Sequence, residues 1–313
     1  MFRIALAGLG DIAQKAYLPL VCQHPQISPI LCSRNDDILR QLGQQYRVNN
    51  CYNDFAKMLT SRPDAVMLHS STSSHFQLAT AVLEAGIALF IDKPICDTLA
   101  QTEQLLTLAA DNNLPFVVGF NRRFAPLYQT PLFARQSGSD LQTLHYQKHR
   151  HLHSAVPRQL IFDDFIHLID LLVLAAGLTD IADINIQHNF VRDQQLLQKV
   201  RLQFTHRGRD FSAIMDRRAG ASFERLEVFA KDQYWQIDNL RCGQHSVAGT
   251  LQPLGFGDWV PTLTQRGFSA MLEDWLTELA TGKTNLQRLQ QYRLSHQIAE
   301  QLTLEAEAFL QQN

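Results

Sequence analysis

The residues of this chain best suited to chemistry are a glycine turn, a lysine beside an acid, and an acid one helical turn from a histidine. Gly8-Leu9-Gly10-Asp11-Ile12-Ala13 follows an apolar run and opens a helical pattern. A GxGxxA turn in that place can seat a pyrophosphate. Gly8 permits the tight bend, Gly10 lets backbone approach the phosphates, and Ala13 lets helix pack on strand. The same spacing also serves as a plain tight turn, and its position after a first strand is what favours a dinucleotide. About 20 residues further on, an acid would accept the ribose hydroxyls of NAD(H). The sequence there reads Leu31-Cys32-Ser33-Arg34-Asn35. A hydroxyl and a guanidinium suit a 2'-phosphate, so the expected cofactor is NADP(H) in preference to NAD(H).

Asp92-Lys93-Pro94 follows another apolar run. Ligands of open parallel sheets sit beyond the carboxyl ends of the strands, so Lys93 is placed to face a cleft, and Pro94 favours an extended backbone before it. A surface ion pair between Asp92 and Lys93 is the bland reading. Asp163, His167 and Asp170 stand at i, i+4 and i+7 of an otherwise apolar helical segment, which predicts one shared face. Titratable groups on an apolar stripe are costly unless paired or used. A buried histidine with a carboxylate partner explains the pattern as readily as a proton-transfer site does.

Weaker candidates surround these. His145, His149, His151 and His153 alternate along one predicted strand, but no carboxylate or cysteine joins them at fixed spacing, so no metal site is expected. Lys148 and Arg150, on the other face, read as a solvated strand or as partners of an anionic substrate group. Arg217 and Arg218 offer no partner by sequence.

These residues require two kinds of scaffold, and 313 residues favour two domains at roughly 150 each. Phe2 to Ala7, Ser28 to Ser33, Ala65 to Ser70, Ala88 to Ile91 and Pro115 to Gly119 are predicted strands. They alternate with predicted helices Ala13 to Gln23, Asp36 to Tyr46, Phe55 to Leu59, Ser74 to Ala85 and Thr98 to Asp111. That alternation predicts a doubly wound parallel α/β sheet of the Rossmann type over residues 1–121. From 122 to 313 the pattern predicts an α+β domain with an open, mainly antiparallel sheet. Its strands are Leu141 to Leu152, Ile184 to Val191, Gln198 to Thr205, Phe211 to Arg217, Phe223 to Ala230 and Tyr234 to Asn239. One helix, Asp163 to Ala176, is inserted and stopped by Gly177. A tail of helices, Phe268 to Thr281 and Leu286 to Leu310, closes the chain, its terminal helix free to pack back on the first domain.

Composition narrows the partners. Apolar residues are 45%, charged residues 19%, and 28 Lys plus Arg face 30 Asp plus Glu, so no basic surface for nucleic acid is expected. Five widely spaced cysteines without a CxxC pair read as reduced thiols. The apolar stretch after Arg3 is broken by Gly8, too short for a signal peptide, and no run approaches the ~20 residues of a membrane span. A cytoplasmic protein acting on a small molecule is expected.

Taken together, GLGDIAQ, the Ser70 to Ser74 run before His75, Asp92-Lys93-Pro94, Gly119-Phe120-Asn121-Arg122-Arg123-Phe124 and Asp163-x-x-x-His167-x-x-Asp170 resemble the glucose-fructose oxidoreductase, inositol dehydrogenase and rhizopine-catabolism (Gfo/Idh/MocA) family. The resemblance covers nearly the whole chain and is strongest to the branch of the virulence factor MviM. It implies an NAD(P)-dependent oxidoreductase that transfers hydride to or from a carbinol or carbonyl carbon of a small sugar or polyol. It implies catalytic roles for Lys93, Asp163 and His167, and a cofactor site of Gly8, Gly10, Asp11, Ile12, Ala13, Ser33, Arg34, Ser71, Thr72, His75, Asp92, Lys93 and Asn121. A homodimer or homotetramer is implied as well. Two departures stand out: the usual Glu before the lysine is Asp92, still able to hold Lys93, and a commonly small residue two before the histidine is Phe165. Phe165 motivates the alternative of an NADP(H)-binding regulatory protein with weak or no turnover.

Overall fold

Short apolar runs with no polar face are strands covered on both sides, and the first unit is built on them. The computed structural model describes residues 1–133, 141–151 and 153–312, and this unit comprises Met1–Gly119 and Met271–Leu289. Its strands are β1 (Phe2–Ala7), β2 (Ile27–Cys32), β3 (Cys51–Tyr52), β4 (Ala65–Leu68), β5 (Ala88–Ile91) and β6 (Phe116–Val118), all parallel, in the order β3-β2-β1-β4-β5-β6. The order reverses between β1 and β4, whose register runs from Ile4↔Ala65 to Ala7↔Leu68. A crevice opens at such a reversal, beyond the carboxyl ends of the strands.

Local chemistry sets the helix ends. Asn35 accepts from the backbone N–H groups of Asp37 and Ile38 to start the helix Asp36–Tyr46. Thr98 accepts from Gln101 N to start Leu99–Asp111. Gly86, at φ 70°, ends the chain's turn after Thr72–Glu84. The helix expected from Ala13 is a wide π turn, Ala13–Tyr17, running into Leu18–Val21. Pro19 lacks the N–H that an ordinary α turn would direct to Lys15, which accounts for the widening. The tail segment around Trp275 belongs to this unit, its fully buried ring edge-on to Phe90 at 5.3 Å.

The second unit comprises Phe120–Ala270 and the chain from Gln290 onward. Its strands are β7 (Leu141–His149), β8 (Gln187–Asp193), β9 (Leu196–His206), β10 (Arg209–Asp216), β11 (Phe223–Ala230), β12 (Gln233–Asp238), β13 (Cys242–Val247) and β14 (Thr250–Leu254). They form one sheet, β14-β13-β12-β11-β7-β10-β9-β8, in which β7 and β10 are parallel and the other neighbours antiparallel. β7 stops at His149, and Leu152, the predicted end of that strand, lies outside the described residues. The hairpin β13-β14 was not anticipated. β14 is largely exposed and β13 largely half-buried, neither alternates, and the turn is carried by Ala248 and Gly249 at φ 48° and 82°.

The inserted helix also corrects the sequence reading. Ile161–Phe165 is a wide π turn and Ile166–Ala176 an α-helix, capped by Gly177 at φ 64°. Asp163 is exposed whereas His167 and Asp170 are buried, so the three do not share one environment. Asp170 takes both arms of Arg123, at 2.7 and 2.6 Å, and the Ser295 hydroxyl at 3.1 Å. That pair anchors the turn Asn121–Phe124 on the helix. Among the described helices none is long and apolar enough to cross a membrane, and the five cysteines are free thiols.

Candidate active site

The glycine turn has the cradle that a dinucleotide needs. Gly8 sits at φ 90°, and a Cβ built there would lie 2.5 Å from Ser70 N and 2.7 Å from the His69 carbonyl carbon. The exits of β1 and β4 therefore touch through a bare Cα. A Cβ on Gly10 would meet nothing within 4 Å, so the space in front of the turn is open. Ala13 is fully buried under the helix, while Asp11 and Ile12 face solvent, Asp11 in an ion pair with Lys15 at 2.7 Å. This combination fits a bound pyrophosphate. At the end of β2 the Ser33 hydroxyl accepts from Asn35 N at 3.2 Å. Arg34 is exposed, with no side-chain partner among the described residues.

At the ends of β4, β5 and β6 the chain builds a clasp around Asp92. Tyr17 donates to Asp92 Oδ1 at 3.0 Å, and His69 Nδ1 lies 2.8 Å from Oδ2. The rings of Tyr17 and His69 stack with centroids 4.0 Å apart. Burial, with Asp92 alongside, pushes the Tyr17 phenol well above its ordinary value, so it stays a donor. Gly119 leaves room for the clasp, because a Cβ there would fall 2.8 Å from Asp92 Oδ1 and 2.9 Å from Tyr17 Oη. The acid expected to hold Lys93 is thus held, one oxygen each, by Tyr17 and His69. The Lys93–Pro94 peptide is cis.

His75 supports the same loop. Its Nδ1 lies 3.1 Å from the Pro94 carbonyl and its Nε2 3.1 Å from the Ser70 carbonyl, and the ring is buried. The structure gives His75 these backbone partners, tying the Lys93 loop to the exit of β4. Ser71 and Thr72 open the helix Thr72–Glu84, Ser71 exposed and Thr72 half-buried. Tyr17 and His69 escaped the sequence reading, and Gly119 entered it only as the first residue of a motif, with no role. Their common task depends on strand ends that meet only in the sheet, and Tyr17 stands 75 positions from the acid it serves.

In the second unit, Asn121 is buried and donates to the Arg266 carbonyl at 2.8 Å. His167 is buried, its ring edge-on to Phe120 at 5.9 Å, and Phe165 is fully buried. Lys148, for which the sequence leaves a solvated strand face or an anionic substrate partner open, is only 3% exposed, which excludes the solvated face, and it bonds Asp164. Arg150 and Arg217 reach the other oxygen of Asp164 at 3.1 and 2.6 Å. Against the upward push of burial, Lys148 and Arg150 hold that carboxyl well below the usual range. Arg218, likewise without a partner in the sequence, bonds Asp193 at 2.5 Å. The histidines of β7 serve separate local bonds, His145 with Ser212 and His149 with the backbone of Asp216. Among the described residues no group of three metal donors occurs.

Residues 2–120 match the model of an oxidoreductase family with an NAD-binding Rossmann fold, and residues 126–247 match the YceM-like C-terminal domain. The Salmonella typhimurium protein YceM, described as an oxidoreductase, is 32% identical over 85% of this chain and 85% of its own length. A UDP-N-acetylglucosamine 3-dehydrogenase of Acidithiobacillus ferrooxidans is 26% identical over 71% of this chain and 72% of its own. The solved structure of a Gfo/Idh/MocA family oxidoreductase from Vibrio cholerae superposes with a TM-score of 0.89 at 34% identity, covering 98% of this chain and 99% of that one. The dehydrogenase MviM of Clostridium difficile shares the fold, with a TM-score of 0.88 at 24% identity over 97% and 99% of the two chains.

Proposed function

This chain belongs to the Gfo/Idh/MocA family of oxidoreductases, and from that premise we propose that it interconverts a carbinol and a carbonyl carbon on a small sugar, polyol or related polyhydroxylated molecule. The observation that carries the reading is the first sheet's carboxyl edge, where a cradle open in front of Gly10 shares the strand ends with a lysine loop built on a clasped acid. A nicotinamide bound there supplies the hydride acceptor or donor. In the oxidation direction His167 takes the hydroxyl proton, Lys93 lowers the hydroxyl's pKa and stabilises the developing alkoxide, and Asp163 orients the reacting group. Ser71, Thr72, His75, Asp92 and Asn121 complete the cofactor surroundings, Asp92 and His75 through the loop they fix. Support for the substrate class comes from relatives named for sugar and inositol oxidation. A sugar and polyol panel with NAD and NADP, followed by nicotinamide absorbance, tests it: turnover of at least one member is expected. Nicotinamide binding without turnover of any member would favour the regulatory reading.

NADP(H) is the proposed cofactor over NAD(H). The exposed Arg34 beside Ser33 can pair with a 2'-phosphate, and such a charge-assisted bond makes NADPH bind about tenfold to a hundredfold more tightly than NADH. Titrating both into wild type and Arg34→Ala checks this. Equal wild-type affinities, or a preference unchanged in the variant, would remove Arg34 from the account.

We also infer a homodimer or tetramer formed by a second copy on the outer face of the second sheet. Phe229 and Leu251, 40% and 61% exposed, lie in one cross-strand row through Tyr234 and Ser246, and association over that row would cover them. Light scattering that gave a 35.6 kDa particle at working concentration would refute it. Five thiols outside any disulfide suit a reducing compartment, and a cytoplasmic location is proposed.

A further inference from the structure

Where β7 ends, β11 begins and β12 turns into β13, the second unit contains a cavity of about 390 Å³. Its lining includes Arg122, Lys148, Arg150, Arg241 and Arg266, with Glu224 as the one carboxylate among them. The register places Glu224 directly opposite Lys148. Arg122 holds Glu224 in a two-pronged pair at 2.7 and 2.8 Å, and Tyr146 donates to the same carboxylate. Lys148 and Arg150 share Asp164 with Arg217. Two carboxylates are thereby consumed inside the wall, each by more than one donor.

Arg241 and Arg266 remain. Neither side chain has a hydrogen bond or ion pair among the described residues. Arg266 is half-buried, and burial together with the guanidiniums of Arg122, Arg241 and Arg150 disfavours its charge, with Glu224 opposing them. Arginine does not escape such crowding by losing its proton. Burial first, and then Arg122, push the Lys148 ammonium down to about 7 against the pull of Asp164 and Glu224. A purely structural ion-pair network would be expected to balance its charges, since like charges gathered in a half-buried space repel. The imbalance here persists around an open volume.

The position of the cavity connects it to the chemistry. Arg122 follows Asn121, Asn121 itself bonds the Arg266 backbone at 2.8 Å, and Asp164 follows Asp163. We propose that this cavity is an oxyanion subsite, and that the substrate of the dehydrogenase carries a carboxylate or phosphate group that Arg241 and Arg266 bind there. The proposal rests on the dehydrogenase reading for its substrate, and on the cavity alone for its ligand. Guanidinium forks match both oxyanions, so the two sources share one recognition chemistry.

The test uses the full chain, saturated with NADPH so that dinucleotide phosphate contacts are occupied, and calorimetric titration with inorganic phosphate, malonate and the neutral glycerol. Phosphate, malonate or both are expected to bind, with glycerol giving no heat; which oxyanion binds more tightly identifies the group. Arg241→Gln together with Arg266→Gln is expected to weaken that binding by about tenfold or more. The single variant at the exposed Arg241 provides the same readout, with smaller loss, if the double variant folds poorly. No binding by either oxyanion, or equal binding in wild type and both variants, would overturn the subsite. Fluorescence titration with NADPH alone reports the cofactor separately: oxyanion binding without NADPH binding would overturn the dehydrogenase reading and leave the subsite standing.

Discussion

Lys93→Met is expected to leave nicotinamide binding intact and to lower turnover by about two or more orders of magnitude, the usual scale for a lost acid-base or electrostatic group. Methionine keeps most of the stem volume and removes the charge. The loop should survive the change, because its shape is set elsewhere: Tyr17 and His69 hold Asp92, and His75 holds the carbonyl of Pro94. A steady-state assay on an identified substrate gives kcat, and quenching on NADPH addition gives cofactor affinity. His167→Asn provides the second half of the comparison. The variant that loses a limb of the kcat/KM pH profile identifies the proton acceptor, since that limb reports an essential group of the free enzyme. Full activity in both variants would remove this pair from the mechanism even with the fold correct.

Asp92→Asn separates the clasp from the lysine it precedes. The amide keeps the size of the acid, but it loses the charge that both Tyr17 and His69 address, so the loss should be smaller than for Lys93→Met. The departure from the family's usual glutamate also gains a physical context here. An acid shorter by one methylene is held by two ring side chains, and Gly119 supplies the space that they need.

What the sequence disclosed follows from how each feature is encoded. Buried parallel strands announce themselves as apolar runs, so β1, β2, β4, β5 and β6 were legible from composition alone. β3 is two residues long, Cys51–Tyr52, and carries no pattern of its own. The π turn at Ala13–Tyr17 follows from Pro19, whose missing N–H the apolar spacing does not register, and the turn at Ile161–Phe165 has no residue-type signal; it sends Asp163 outward while His167 stays inside. Lys148 was open to a better reading. Leu144, Tyr146 and Lys148 alternate onto one face of β7, and all three are buried, so period two alone placed the lysine inside. The carboxylate that pairs with it, Asp164, comes from another element. Contacts of that kind require a fold before they can be read.

The two glycines of the cofactor turn should behave oppositely, which makes them the sharpest test of the nucleotide site. Gly8→Ala puts a Cβ 2.5 Å from Ser70 N and 2.7 Å from the His69 carbonyl carbon, in a residue at φ 90°. Both obstacles are backbone, so no rotamer relieves them, and β1 must separate from the exit of β4. A left-handed conformation costs an ordinary residue about 1–2 kcal/mol, and forced overpacking adds about 1–3 kcal/mol, so a loss of about 2–5 kcal/mol is expected in a denaturant titration. The displaced strand end also carries His69, so the clasp on Asp92 should loosen and activity fall with stability. Gly10→Ala meets nothing within 4 Å, and its backbone is not left-handed. Its stability should match wild type within about 0.5 kcal/mol. The added methyl instead occupies the space that a pyrophosphate requires, and NADPH affinity should fall by about tenfold or more, since close backbone approach to the phosphates is the reason for glycine at that position. A Gly10→Ala protein that folds normally and binds NADPH as tightly as wild type would show that the open space in front of the turn serves some other purpose, and would remove the cradle from the site.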